Sequence, residues 1–164
     1  MFITSQELKD LLYEYQVNQI TDNDSDIVDD AINAAISEVR SYFEAANQRR
    51  ETANLTIQQY NAWKIYDVDA IFSATGSDRD PYVTRLCLRI AAFNVCELSN
   101  VDIDYDRLRQ IYDQTVTTLE KIAGMGNYAA SRIILTQLPS PESNTPTDTP
   151  QPFRMASRPK FHHE

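Results

Sequence analysis

Residues 27–46 read IVDDAINAAISEVRSYFEAA, and this stretch decides the fold class. Val28, Ala31, Ile32, Ala35, Ile36, Val39 and Phe43 recur at the three- and four-residue spacing that places side chains on one face of an α-helix, with Tyr42 at its edge. Ala31, Ala34 and Ala35 are small enough for a neighbouring helix to approach closely. The preceding turn, Thr21–Asp26, is rich in aspartate, which the positive end of a helix dipole favours. A helix is predicted from about Ile27 to Ala46.

The same pattern recurs on both sides. Upstream, Thr4-Ser5-Gln6-Glu7 has the residues of a capping box, and Leu8, Leu11, Leu12 and Tyr15 mark a short amphipathic helix over residues 5 to about 14. Val17 and Ile20 carry the apolar marks through a connecting segment. Downstream, DPYVTRLCLRIAAFNVCEL (residues 80–98) has Asp80 as cap and Pro81 in the first turn, then an apolar face of Val83, Leu86, Cys87, Ile90, Ala91, Asn94 and Val95. A last helix is predicted over Tyr105–Ala123, with Leu108, Ile111, Tyr112, Thr115, Leu119 and Ile122 as its stripe, stopped by Gly124-Met125-Gly126. The expected fold is mainly α: a small antiparallel bundle of three principal helices plus a short N-terminal one, over residues 1–138.

Between Asn47 and Asp80 the period is lost. Leu55, Ile57, Tyr60, Trp63, Ile65, Tyr66, Val68, Ile71 and Phe72 fit neither a strand nor a helix repeat. The expectation is a protruding loop or hairpin at about 47–80 with short strands near 54–60 and 64–72, since long connections in small domains are usually functional. Ile133-Ile134-Leu135 suggests a further short strand.

Composition narrows the function. With a formal charge of −9 and a pI near 4.6, the chain lacks the clustered cations that broad nucleic-acid binding requires. No apolar run approaches the roughly 20 residues of a membrane-spanning helix, and Met1–Thr4 does not open a signal peptide, so synthesis in the cytosol is expected. The two cysteines, Cys87 and Cys96, share one predicted helix about 13 Å apart and read as buried, reduced thiols. Three glycines leave no phosphate-cradling loop.

Catalytic and metal constellations find little support. Asp22, Asp24 and Asp26 match the first three ligand positions of an EF-hand calcium loop. Ile27 then stands where the turn glycine belongs, and Asn33 where the closing glutamate belongs. The cluster reads as a solvated turn and helix cap. His162 and His163 sit beside the C-terminus, where nothing would hold a general base in place. No enzyme activity, cofactor or metal is expected. Tyr60, Trp63, Tyr66 and Phe72 are either tucked into the core or used as contact anchors. The richness of Trp and Tyr at interface hot spots favours the second reading.

Residues 139–164, PSPESNTPTDTPQPFRMASRPKFHHE, form an extended arm. Repeated proline removes the amide donors that helices and ladders need, and the few apolar residues cannot offset ordering entropy. Phe153, Arg154 and Phe161 are the candidate anchors by which such an arm would dock on another chain. An inert tail is the alternative.

The order of parts resembles the Mu-like gp36 group of tailed-phage proteins. The matching stretches are MFITSQELKDLL, ITDNDSDIVDDAINAAISEVRSYF, DPYVTRLCLRIAAFNVCEL and YDRLRQIYDQTVTTLEKIAGM, which lie within residues 1–46 and 80–126. That group is related to the head-tail connector proteins, small helical adaptors that form dodecameric rings beneath the portal. The resemblance implies a structural virion protein: a ring of twelve copies joining capsid to tail. Its partners would be copies of itself, the portal protein and the next connector or tail protein. DNA would pass without specific binding, no membrane would be involved, and the host cytoplasm would be the site of assembly. Members of the group usually join the second and third helices by a shorter, proline-containing link, so the 47–80 segment and the long arm are departures. The runner-up is a non-enzymatic helical binding module or regulatory subunit outside a virion.

Overall fold

The computed structural model describes residues 2–9, 11–22, 24–52, 54–97 and 105–141. Among these the chain is mainly helical, with no strand. Seven α-helices follow in order: α1 (Ser5–Leu8), α2 (Glu14–Thr21), α3 (Ser25–Thr52), α4 (Ile57–Ala62), α5 (Val68–Ser73), α6 (Pro81–Glu97) and α7 (Tyr105–Ala123). Short 3₁₀ turns occupy Gly76–Asp78 and Gly126–Ser131.

Helices α3, α6 and α7 pack pairwise and enclose the core. Ile32, Val39, Val83, Ile90, Leu119 and Ile122 are fully covered, as the periodicity predicts. Ala31 and Ala35 face this core, whereas Ala34 is exposed. α6 is buried on more than one stripe, since Ala92, Phe93 and Cys96 are also covered. Phe93 is enclosed by rings of α7, stacking on Tyr112 at 4.3 Å and meeting Tyr105 at 5.8 Å. Thr115, the buried polar residue of α7, donates its hydroxyl proton to the Ile111 carbonyl at 2.7 Å.

The helix ends follow local chemistry. Asp80 accepts hydrogen bonds from the Tyr82 and Val83 amides at 2.9 and 3.0 Å, starting α6 at Pro81. Glu7 accepts from the Thr4 amide at 2.9 Å, the reach-back half of a capping box. Asp24 accepts from the Asp26 amide at 2.9 Å, so this member of the acidic cluster caps a turn. Gly124 adopts φ +67°, beyond the end of α7.

Several boundaries differ from the sequence-based expectation. The opening helix stops at Leu8, and Val17 and Ile20 belong to a second helix, α2, both packed against the core. α3 runs to Thr52, because Gln48, Arg49 and Arg50 are good helix formers with no breaker among them. The expected strands at 54–60, 64–72 and 133–135 do not form. α4 and α5 lie in the first two segments, and 132–135 is irregular. The three principal helices account for the bundle; residues 142–164 lie outside the described part.

Candidate interaction surfaces

The 47–80 segment is folded onto the bundle by hydrogen bonds from far along the chain. Asn47 works as an adapter: its Nδ2 donates to the Tyr66 carbonyl at 2.8 Å, and its Oδ1 accepts from the Tyr66 amide at 2.9 Å. The Trp63 indole N–H donates to the Ala46 carbonyl at 2.8 Å. From the other side, the Leu135 amide donates to the Tyr66 hydroxyl at 3.1 Å, and Lys64 Nζ donates to the carbonyls of Thr136 and Leu138. The Asp67 amide donates to the Pro139 carbonyl at 3.0 Å.

These bonds place the candidate anchors. Trp63 is 6% exposed and Tyr66 1%, so both are core residues of this chain and are not surface anchors. Burial offers their rings more than a loop tip would, because each polar handle finds a partner inside. Phe72 packs partly buried between Phe2 (5.1 Å) and Phe43 (6.0 Å), and Phe43 meets Tyr66 edge-on at 5.2 Å. Of the four aromatic candidates, Tyr60 remains on the surface, 42% exposed, with the Arg50 guanidinium 4.2 Å from its ring centre. Phe153, Arg154 and Phe161, like His162 and His163, lie outside the described residues.

Arg132 binds the two layers. Its guanidinium lies 4.2 Å from the Trp63 ring centre, Nε donates to the Ile122 carbonyl at 2.7 Å and Nη2 to the Lys64 carbonyl at 3.2 Å. Nη1 is covered from solvent with no acceptor, as is Arg49 Nε. Burial pulls the Arg132 pKa below the usual guanidinium value. Beside it, a depression of about 140 Å³ is lined by Gln59, Ala62, Trp63, Ala129, Arg132 and Ile134.

Leu11, Tyr82 and Tyr105 are exposed apolar side chains, and further ones lie near both ends of α3. Near the C-terminal end of α3 these are Ile57 (81% exposed), Tyr60 and Ile134, which is 42% exposed. Near its N-terminal end they are Tyr13, Tyr15 and Ile27, and the two tyrosine rings stack at 5.7 Å. A groove of about 270 Å³ joins α1, α2 and the start of α3 there, with Glu14 and Asp24 on its walls. A further groove of about 480 Å³ runs along α6 past Leu11, Arg85 and Leu88. Sequence reasoning missed Ile57 and Ile134, which sit outside any period; an isoleucine in a stretch without a buried stripe was the available signal.

Both thiols are enclosed. Burial raises Cys87 to about 12 and Cys96 to about 11, so both stay protonated and poorly nucleophilic at neutral pH. Among the described residues no cluster of His, Cys, Asp and Glu has metal-binding geometry, and no helix is long and apolar enough to cross a membrane. No family model, curated protein or solved structure matches this chain.

Proposed function

We propose that this chain is a structural virion protein of a tailed phage, a head-tail connector. Twelve copies form a ring below the portal, join capsid to tail and leave a channel for DNA. The observation that carries the reading is the order of segments at residues 1–46 and 80–126. A capped opening helix, an acidic turn, a long small-residue helix, a proline-led helix and a Tyr- and Leu-bearing helix stopped by glycine follow as in the gp36 group, and here they build one bundle.

Charge supports the same reading. A body of net negative charge lining a DNA passage keeps the polyanion from adhering, since fixed carboxylates repel phosphate. The arm at 139–164 serves as tether to the portal or an adjacent ring, through Phe153, Arg154 and Phe161. Tethering raises effective concentration without a large body interface.

The test is genetic and structural. Particles assembled without this chain are expected to contain filled or fillable heads that fail to join tails, and a particle reconstruction should place the chain under the portal. Deleting residues 139–164 should leave a folded protein that does not enter particles. Tailed particles of normal composition from which the chain is absent would overturn the assignment.

A further inference from the structure

Charge is distributed along α3 in a way that the helix dipole explains only in part. Asp22, Asp24, Asp26 and Asp30 cluster at its N-terminal end, all exposed and without a salt bridge among the described residues. At the opposite end stand Arg49, Arg50, Lys64 and Arg132, which form no salt bridge to a described residue. Dipole complementarity accounts for Asp26 in the first turn and for Arg49 and Arg50 in the last. It does not account for Lys64 and Arg132, which belong to other segments, nor for the exposed Ile57, Tyr60 and Ile134. Arg50, Lys64 and Arg132 donate to backbone carbonyls, so among the described residues the cluster is held by neutral acceptors and meets no carboxylate.

We infer that the cationic end of α3, with its apolar rim and the depression beside Arg132, receives the acidic end of a second copy of this chain, head to tail. The occupant carries the complementary set: Asp22, Asp26 and Asp30 for the cations, and Tyr13, Tyr15 and Ile27 for the apolar rim. A carboxylate entering the depression lies beside the Arg132 guanidinium, and a small shift of that side chain gives its covered Nη1 an acceptor. Asp26 and Arg50 are about 36 Å apart along the helix at its usual rise. Unlike ends can therefore meet while the two negative bodies stay offset. An isologous pairing would set acid against acid or cation against cation, which complementarity disfavours. A contact between unlike patches propagates, and closes into a ring if the rotation allows.

The inference deepens the connector reading and rests on it for its biological setting, but the contact is tested on the purified full chain. Two double variants each remove one end: Asp26→Asn with Asp30→Asn, and Arg50→Gln with Ile57→Ser. Asp26, Asp30 and Ile57 are exposed and Arg50 is half-buried against Tyr60, so far-UV dichroism checks that each variant folds. Sedimentation at low ionic strength should show the unaltered chain growing in mass with concentration, and added salt should reverse this. Each variant alone should stay monomeric, with its self-association weakened at least about tenfold. Mixed, the two should form a one-to-one complex and nothing larger, because a single intact pair of ends remains. A chain that stays monomeric at every concentration, variants that associate as the parent does, or a mixture that gives no complex would each overturn the contact. Particle incorporation separates the two ideas. Variants that enter particles normally sink the contact and leave the connector reading standing. Head-to-tail association by a chain absent from particles does the reverse.

Discussion

The Arg79 guanidinium grips both carboxylate oxygens of Glu7, Nη2 to Oε1 at 2.7 Å and Nη1 to Oε2 at 3.1 Å. Its Nη1 also donates to the Phe2 carbonyl at 2.6 Å and its Nε to the Gly76 carbonyl at 3.0 Å, so one side chain ties the N-terminus to the turn that precedes α6. The hydrogen bonds from Arg79 hold the Glu7 pKa down at about 2, from an ordinary 4.5. A carboxyl whose folded pKa lies below its unfolded one stabilises fully above the unfolded value and loses that contribution as pH falls toward the folded one. Thermal melts of the parent should therefore drop between pH ~5 and ~2 by more than those of Glu7→Gln. The variant should lose about 2 kcal/mol at neutral pH, after allowance for partial solvent screening.

Asn47 carries the backbone of Tyr66 as a neighbouring strand would, giving it both a donor and an acceptor. Asn47→Ala leaves an amide and a carbonyl without partners in a part-buried place, at a cost of about 2 kcal/mol. Asn47→Asp keeps the acceptor but sets a carboxylate oxygen against the Tyr66 carbonyl, and should cost at least as much as Asn47→Ala. Urea unfolding should show a lowered midpoint with an unchanged slope, as expected where stability changes and compactness does not.

The same pair explains which parts of the fold were legible from the residues. α3, α6 and α7 advertise themselves because each buries a long stripe, and the signal accumulates over many turns. α4 and α5 hold six residues each, too few for a period to emerge, and their placement depends on Asn47, Ala46 and Pro139, distant in sequence. The aromatic character of Trp63 and Tyr66 was visible, but it does not distinguish a surface anchor from a core plug. The deciding facts were carbonyls and amides at Ala46 and Leu135, which no side-chain pattern records. The cations at 49, 50, 64 and 132 were visible singly. Their convergence needed the fold.

Gly124 lies against Trp63. At φ +67° its missing Cβ would stand 2.9 Å from the far edge of the indole, inside van der Waals contact. Gly124→Ala therefore adds a left-handed strain of about 1 kcal/mol to a clash with a ring already fixed by the Ala46 carbonyl and the Arg132 stack. A total loss of about 2–4 kcal/mol is expected. Since the chain has one tryptophan, its fluorescence reports the site directly. The variant's native spectrum should shift, with the unfolding midpoint moved to lower denaturant. An unchanged spectrum and midpoint would mean that the indole does not sit against this turn.

Cys87 and Cys96 supply a readout of the bundle's opening. Both thiols are buried on α6, with pKa values pushed up to about 12 and about 11 by desolvation. Reaction with a thiol reagent requires the thiolate and access to it, and the folded core denies both. In native buffer at neutral pH neither cysteine should react at more than a small fraction of the rate in denaturant. Cys96, with the smaller shift and a place in the last turn of α6, should be labelled first. Raising the pH to ~9 ionises a free thiol but leaves these groups largely protonated, so native labelling should stay slow there, with a rate set by opening of the helix. Prompt labelling of Cys87 in the native state would mean that α6 is not enclosed by α3 and α7, and the bundle would have to be redrawn.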